Sequence, residues 1–154
     1  MKKILIALDY NPSAEKIAET GYALAKSMGA SVVLLHVLAD ASYYAAYEYS
    51  PIMGFNSFVI PDTITPGIMD DLNKSAIEFL AQSKAHLGDD TIRTVVKEGE
   101  FANTIVDVAT EESADIIVLG SHSRRGLDKI LMGSVTEKVL HHSEIPLFII
   151  PTKG

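Results

Sequence analysis

Short, nearly unbroken apolar runs alternate along this chain with longer stretches whose apolar residues recur every three or four positions. The first pattern suits strands buried on both faces, the second helices that bury one stripe. Met1 to Asp9 is the first run and ends in a polar turn. Asn11 and Pro12 then offer a helix start, Asn11 as acceptor for orphan N–H groups and Pro12 at a first-turn position that needs no N–H. Ala14, Ile17, Ala18, Gly21, Leu24, Ala25 and Met28 form the stripe of that helix, and Gly29 closes it. Ser31 to Val37 is predicted as the second strand.

From Leu38 to Thr65 neither period is present, and Pro51, Gly54 and Pro61 interrupt a stretch that is long for a connection. Thr65 and Pro66 repeat the cap and first-turn pattern ahead of a long helix striped by Ile68, Leu72, Ala76, Phe79, Leu80 and Leu87, which Gly88 ends. Ile92 to Lys97 reads as a partly alternating strand, suited to a sheet edge. Phe101, Ile105, Val108 and Ala109 mark a third helix. Asp115 to Leu119 is the clearest buried strand and Gly120 ends it; Ser134 to His142 is a fourth helix, and Pro146 to Pro151 a last strand. Five strands alternating with four helices predict a single doubly wound α/β domain over residues 1–154, with a mostly parallel sheet covered on both faces. No linker, charge block or low-complexity stretch divides it.

Composition narrows the partners. With 13 Lys+Arg against 20 Asp+Glu the net charge is −7, which repels a polyphosphate backbone and an anionic membrane surface, so nucleic acid is not expected as a partner. The absence of cysteine removes disulfides, thiol nucleophiles and thiolate metal sites, and fits a cytoplasmic protein. No apolar run approaches the roughly 18 residues needed to span a bilayer.

In a doubly wound sheet, ligands sit beyond the carboxyl ends of the strands, where the strand order reverses. The richest of these loops runs from Gly120 to Thr136. Glycines at 120, 126 and 133 let backbone approach a ligand, and Gly133-Ser134 directly precedes a helix, whose first N–H groups and positive dipole end favour an anion. The Ser134 and Thr136 hydroxyls add donors, and Arg124, Arg125 and Lys129 make the loop locally basic. The alternative is purely structural, with Gly120 ending a strand and Ser134 capping a helix. Neither a Walker P-loop nor a dinucleotide glycine fingerprint is present.

These residues bring a family resemblance into view. In order and length the whole chain resembles the universal stress proteins, through Lys3-Ile4-Leu5-Ile6-Ala7-Leu8-Asp9, Leu34-Leu35-His36-Val37, Ala114 to Gly120, and Leu131-Met132-Gly133-Ser134-Val135-Thr136. The nucleotide-binding branch of that family carries Gly, two residues, Gly, nine residues, Gly, then Ser or Thr. Here the first and third glycines are Gly120 and Gly133, followed by Ser134, while the second position is Ser123. Where a positive φ is required, serine costs on the order of 1 kcal/mol relative to glycine.

The resemblance implies that Ala7, Leu8 and Asp9 line the adenosine side, with Asp9 accepting from ribose hydroxyls, and that Val37 meets adenine through its backbone. It implies phosphates held by Gly120, Gly133, Ser134 and Val135, with Ser123 at the altered position and Ser121, His122 and Thr136 completing the candidate contacts. The ligand is then ATP or AMP, with or without Mg. It also implies that Asp9 and Gly120 face each other, so the strand order is 3-2-1-4-5. The last strand is then an apolar, charge-free edge, which a homodimer through 146–151 would cover.

Other residues tempt. His36 in a buried strand reads as a packed, hydrogen-bonded side chain. His141 and His142 point about 100° apart on a helix and suit its C-terminus rather than one metal, and His122, though placed in the glycine loop, reads more readily as an exposed loop residue. No catalytic residue is assigned. The 38–65 insertion, with Tyr43, Tyr44, Tyr47, Tyr49, Phe55 and Phe58, is a lid, a surface for an unknown protein partner, or a segment packed on its own body. The function that follows is an adenine-nucleotide-binding regulatory protein of the cytoplasmic stress response. The alternatives are a dimeric interaction protein that no longer binds nucleotide, which Ser123 favours, and a slow ATPase.

Overall fold

The computed structural model describes residues 2–10, 12–39, 66–121 and 133–152, with side chains from residue 69 onward in the third stretch. Along them run β1 (Lys3–Ala7), α1 (Ala14–Met28), β2 (Ser31–Leu38), α2 (Pro66–Leu87), β3 (Arg93–Glu98), α3 (Phe101–Glu111), β4 (Ile116–Gly120), α4 (Ser134–His142) and β5 (Leu147–Ile150). All strand pairs are parallel and the order is β3-β2-β1-β4-β5, as expected.

The unbroken apolar runs work because alternate residues serve opposite layers. Ile4, Ile6, Leu34 and Val118 pack with Ile17, Ala18 and Ala25 of α1 and Leu80 of α2. Their neighbours Leu5, Val33, Leu35, Ile117 and Leu119 pack on the other face with Ile105, Val108 and Ala109 of α3 and Val139 of α4. Each such large side chain contributes about 1.5–3 kcal/mol by leaving water. The outer strands are less covered: β3 exposes four of its six residues, and Phe148 of β5 is 38 % exposed.

Several boundaries move from their expected places. The first helix begins at Ala14 with Ser13 as its N-cap, the Ile17 N–H reaching the Ser13 carbonyl at 3.0 Å, so Pro12 lies in the turn before it. Met28 falls on the apolar stripe by angle but is the last residue of the helix, where solvent reaches it. Gly29 closes the helix at φ 66°, a left-handed conformation that suits glycine. Leu38 belongs to β2, because it pairs with Glu98 and buries its side chain against Leu72 and Ala76 of α2. Leu38 therefore lies outside the segment expected to be irregular. Ile92 is buried ahead of β3 rather than within it. The expectations for Asn11, Thr65, residues 40–64, His122, Ser123, Arg124, Arg125, Gly126 and Lys129 fall outside the described residues.

Candidate functional site

At the carboxyl edge of the sheet the order reverses between β1 and β4, since β1 leads outward to β2 and β3, and β4 to β5. Ile6 pairs with Val118, and two further steps along this register set Leu8 level with Gly120. One wall of the reversal point thus carries Leu8 and Asp9, the other Gly120 and Ser121.

The β1 wall is built from buried side chains. Ala7 ends β1 half-buried, Leu8 and Val37 are buried, and Asp9 is half-buried. Strand β1 ends at Ala7, yet the chain stays attached to β2 one residue longer. The Leu8 N–H donates to the Leu35 carbonyl at 2.8 Å, and His36 Nδ1 lies 2.8 Å from the Leu8 carbonyl. His36 is the packed, hydrogen-bonded side chain expected. It is 2 % exposed, edge-on to Tyr10 with ring centroids 4.6 Å apart, and 5.6 Å from Phe79 of α2. Burial lowers the His36 pKa, opposed in part by the Leu8 hydrogen bond, and burial pushes the Tyr10 phenol up to about 12.

The α4 wall is built from backbone. The Gly133 N–H donates to the Ser121 carbonyl at 2.6 Å, and the Thr136 hydroxyl to the Gly120 carbonyl at 2.8 Å, so the start of α4 is tied over the end of β4. Gly133 is the N-cap and offers no side chain, and the first intrahelical bond runs from the Glu137 N–H to its carbonyl at 2.9 Å. Among the described residues nothing accepts from the Ser134, Val135 or Thr136 N–H groups. Three aligned donors at a helix start, with the dipole behind them, form an anion cradle. Ser134 is exposed beside it.

Two of the candidate hydroxyls have structural partners. Thr136 is 2 % exposed and its hydroxyl donates to the Gly120 carbonyl, so the hydroxyl serves the fold. Ser121 is 8 % exposed, and its oxygen accepts the Thr152 N–H at 2.9 Å, which fastens the chain beyond β5. Thr152 carried no signal in the sequence, since it follows a proline at the end of the last apolar run. Gly120 is needed for room: a Cβ there would stand 2.5 Å from Ile17 Cδ1 and 3.2 Å from Thr152 Cγ2. Glu100 was also overlooked. Its carboxylate accepts from the Ala102 and Asn103 N–H groups at the start of α3 and from Lys138 of α4 at 3.2 Å, and although burial raises its pKa these donors prevail and lower it.

Among the described residues, one group has the spacing for a metal ion: Glu15, Glu19 and His86, all exposed. Its members already form ion pairs, with His86 Nε2 2.9 Å from Glu19 and 3.4 Å from Glu15. His141 and His142 are exposed in the last turn of α4, His141 lying 3.8 Å from Glu137. Among the described residues, no helix is long and apolar enough to cross a membrane.

Residues 1–151 match the model of the universal stress protein family. Universal stress protein MJ0577 of Methanocaldococcus jannaschii is 27 % identical, over 99 % of this chain and 96 % of its own. The solved structure of MJ0577 superposes with a TM-score of 0.75, covering 99 % of this chain and 97 % of the other at 27 % identity. Stress response protein NhaX of Bacillus subtilis is 30 % identical, over 96 % of each chain. A universal stress protein solved in complex with cAMP shares the fold at a TM-score of 0.64 and 16 % identity, covering 97 % of this chain and 96 % of its own.

Proposed function

The chain belongs to the universal stress protein family, with its role in stress response, and from that premise we propose that it binds ATP or AMP in the crevice between Asp9 and the start of α4 as a cytoplasmic regulatory protein. The observation that carries this reading is the trio of Ser134, Val135 and Thr136 N–H groups, which have no acceptor among the described residues at the point where the strand order reverses. Phosphate oxygens would satisfy them. Across the crevice, the Asp9 carboxylate would accept from the ribose hydroxyls, and the Val37 backbone would meet adenine. A solved family member in complex with cAMP adds that this fold accommodates an adenine nucleotide, there in another protein. His122 and Ser123 would complete the phosphate loop, with Mg supplied by solvent where ATP is bound.

Calorimetry with ATP and with AMP, each with and without Mg, tests the reading. Binding is expected at micromolar affinity or weaker, because serine stands where the family pattern has its second glycine. Ser123→Gly should tighten it and Gly133→Val should abolish it. No heat up to millimolar nucleotide would end the proposal and leave the dimeric interaction protein as the better account. The dimer belongs to both readings. Strand β5 is an edge whose Phe148 is 38 % exposed, and an isologous contact through the same strand of a second copy would cover it. Sedimentation at tens of micromolar should give a dimer that Ile149→Lys dissociates.

A further inference from the structure

We infer that His36 is a positioning residue that sets the direction of Asp9 by holding the Leu8 carbonyl, an inference that rests on the nucleotide reading of the crevice. A carbonyl oxygen can only accept, so His36 Nδ1, 2.8 Å away, must carry the proton. The tautomer is thereby fixed, with Nε2 left as a bare acceptor. Nε2 is buried and has no hydrogen-bond partner among the described residues, so the ring is held by its one hydrogen bond and by its neighbours' rings.

The two peptides flanking the Leu8 Cα are therefore both held by β2, the Leu8 N–H by the Leu35 carbonyl at 2.8 Å and the Leu8 C=O by the His36 ring. A carbonyl whose direction is fixed also fixes the plane of the amide it belongs to, because the amide is planar, and for Leu8 that amide leads into Asp9. One turn residue further, Tyr10 packs on the same imidazole and on Phe79, 4.9 Å between centroids, so both sides of Asp9 are referenced to one ring. The opposite neighbour of His36 is Val37, the residue placed against adenine. Because successive strand residues face opposite ways, His36 occupies the α1/α2 layer while Val37 packs with α3 and α4. A single residue of β2 therefore relates the adenine wall to the ribose acid without touching either ligand group.

A core residue that only stabilises would change the unfolding free energy and leave the affinity of the folded protein alone. The test separates these outcomes with His36→Asn, which keeps a donor near the Nδ1 position, and His36→Phe, which fills the volume without one. Both are assayed far below their unfolding temperatures. In calorimetry with ATP, His36→Phe should weaken binding about tenfold, the size of one lost hydrogen bond to a fixed group, while His36→Asn stays close to wild type. In an Asp9→Ala background His36→Phe should have no further effect. Equal affinity for His36→Phe and wild type, or a full effect in the Asp9→Ala background, overturns the inference. Nitrogen NMR of the imidazole gives a readout that needs no nucleotide: a protonated Nδ1 with bare Nε2 is expected, and the opposite tautomer overturns the clamp. A wild-type chain that shows this tautomer and binds no nucleotide overturns the ligand assignment instead.

Discussion

On the β1 side of the crevice, Leu8 is buried with both its N–H and its C=O hydrogen-bonded, and a buried histidine and two aromatic rings lie behind it. On the α4 side, Gly133 has no side chain and three successive N–H groups lack acceptors among the described residues, while the side chains that do bond, Thr136 and Ser121, turn inward to hold Gly120 and Thr152. One wall uses packed side chains to aim a carboxylate. The other uses side chains to hold backbone in place, and in the proposed reading it is backbone that meets the ligand. The division suits the two ends of a nucleotide, since ribose and base have distinctive edges while a phosphate asks for little except aligned donors.

The largest effect should come from the α4 wall, at Gly120. Gly120→Val places branched carbon where a Cβ alone would already meet Ile17 Cδ1 at 2.5 Å and Thr152 Cγ2 at 3.2 Å. Ile17 is 3 % exposed and cannot swing into open space. Overpacking of this kind costs about 3 kcal/mol, read as a lower urea midpoint at unchanged m-value, and nucleotide binding should fall with it as the start of α4 is displaced. A variant of wild-type stability would mean that the two walls are less rigidly joined than the contacts imply.

A smaller effect is expected at Thr136. Thr136→Val keeps the shape and removes the hydroxyl that donates to the Gly120 carbonyl at 2.8 Å. Stability should drop by about 1 kcal/mol. The three N–H groups remain, so affinity for nucleotide should change less than stability. If instead affinity collapses while stability is kept, the hydroxyl itself touches phosphate, and the contrast drawn between the walls is wrong on that side.

The sequence displays these walls unequally. Periodicity suffices for the nine elements of the described residues, because a parallel sheet buried on both faces needs unbroken apolar strands and striped helices, while the strand order came from the family resemblance, which implies that Asp9 faces Gly120. The glycines and the Ser134 helix start also stood out in the sequence, since glycine before a helix is a local signal. What did not show was which way the hydroxyls turn. Ser121 and Thr136 look like ligand donors when read in a row, and only the approach of Thr152 and Gly120 from 31 and 16 residues away gives them other partners. The Leu8–His36 bond spans 28 residues and is equally invisible to spacing. Pro12 fell before the helix start, which Ser13 takes, for a different reason: adjacent turn-forming signals compete, and local sequence does not rank them.

The smallest effect is a pH dependence that asks whether the buried wall responds to protons in the direction its packing requires. His36 has a pKa lowered by burial, so the unfolded chain binds that proton more readily than the folded one. Its contribution to stability is complete above the unfolded value near 6.5 and is lost as pH falls below it. His86 works oppositely: the hydrogen bond to Glu19, with Glu15 nearby, raises its pKa, so its contribution is present below about 6.5 and is lost as pH rises through the raised value. The two slopes meet and give a shallow stability maximum close to pH 6.5. Urea unfolding between pH 5.5 and 7.5 should show it. His36→Asn, which cannot titrate, should flatten the acid side alone, and His86→Gln the alkaline side alone. A wild-type acid slope that survives His36→Asn unchanged would show that the imidazole beneath Asp9 is not held neutral, and the account of that wall as a fixed, uncharged support would fall with it.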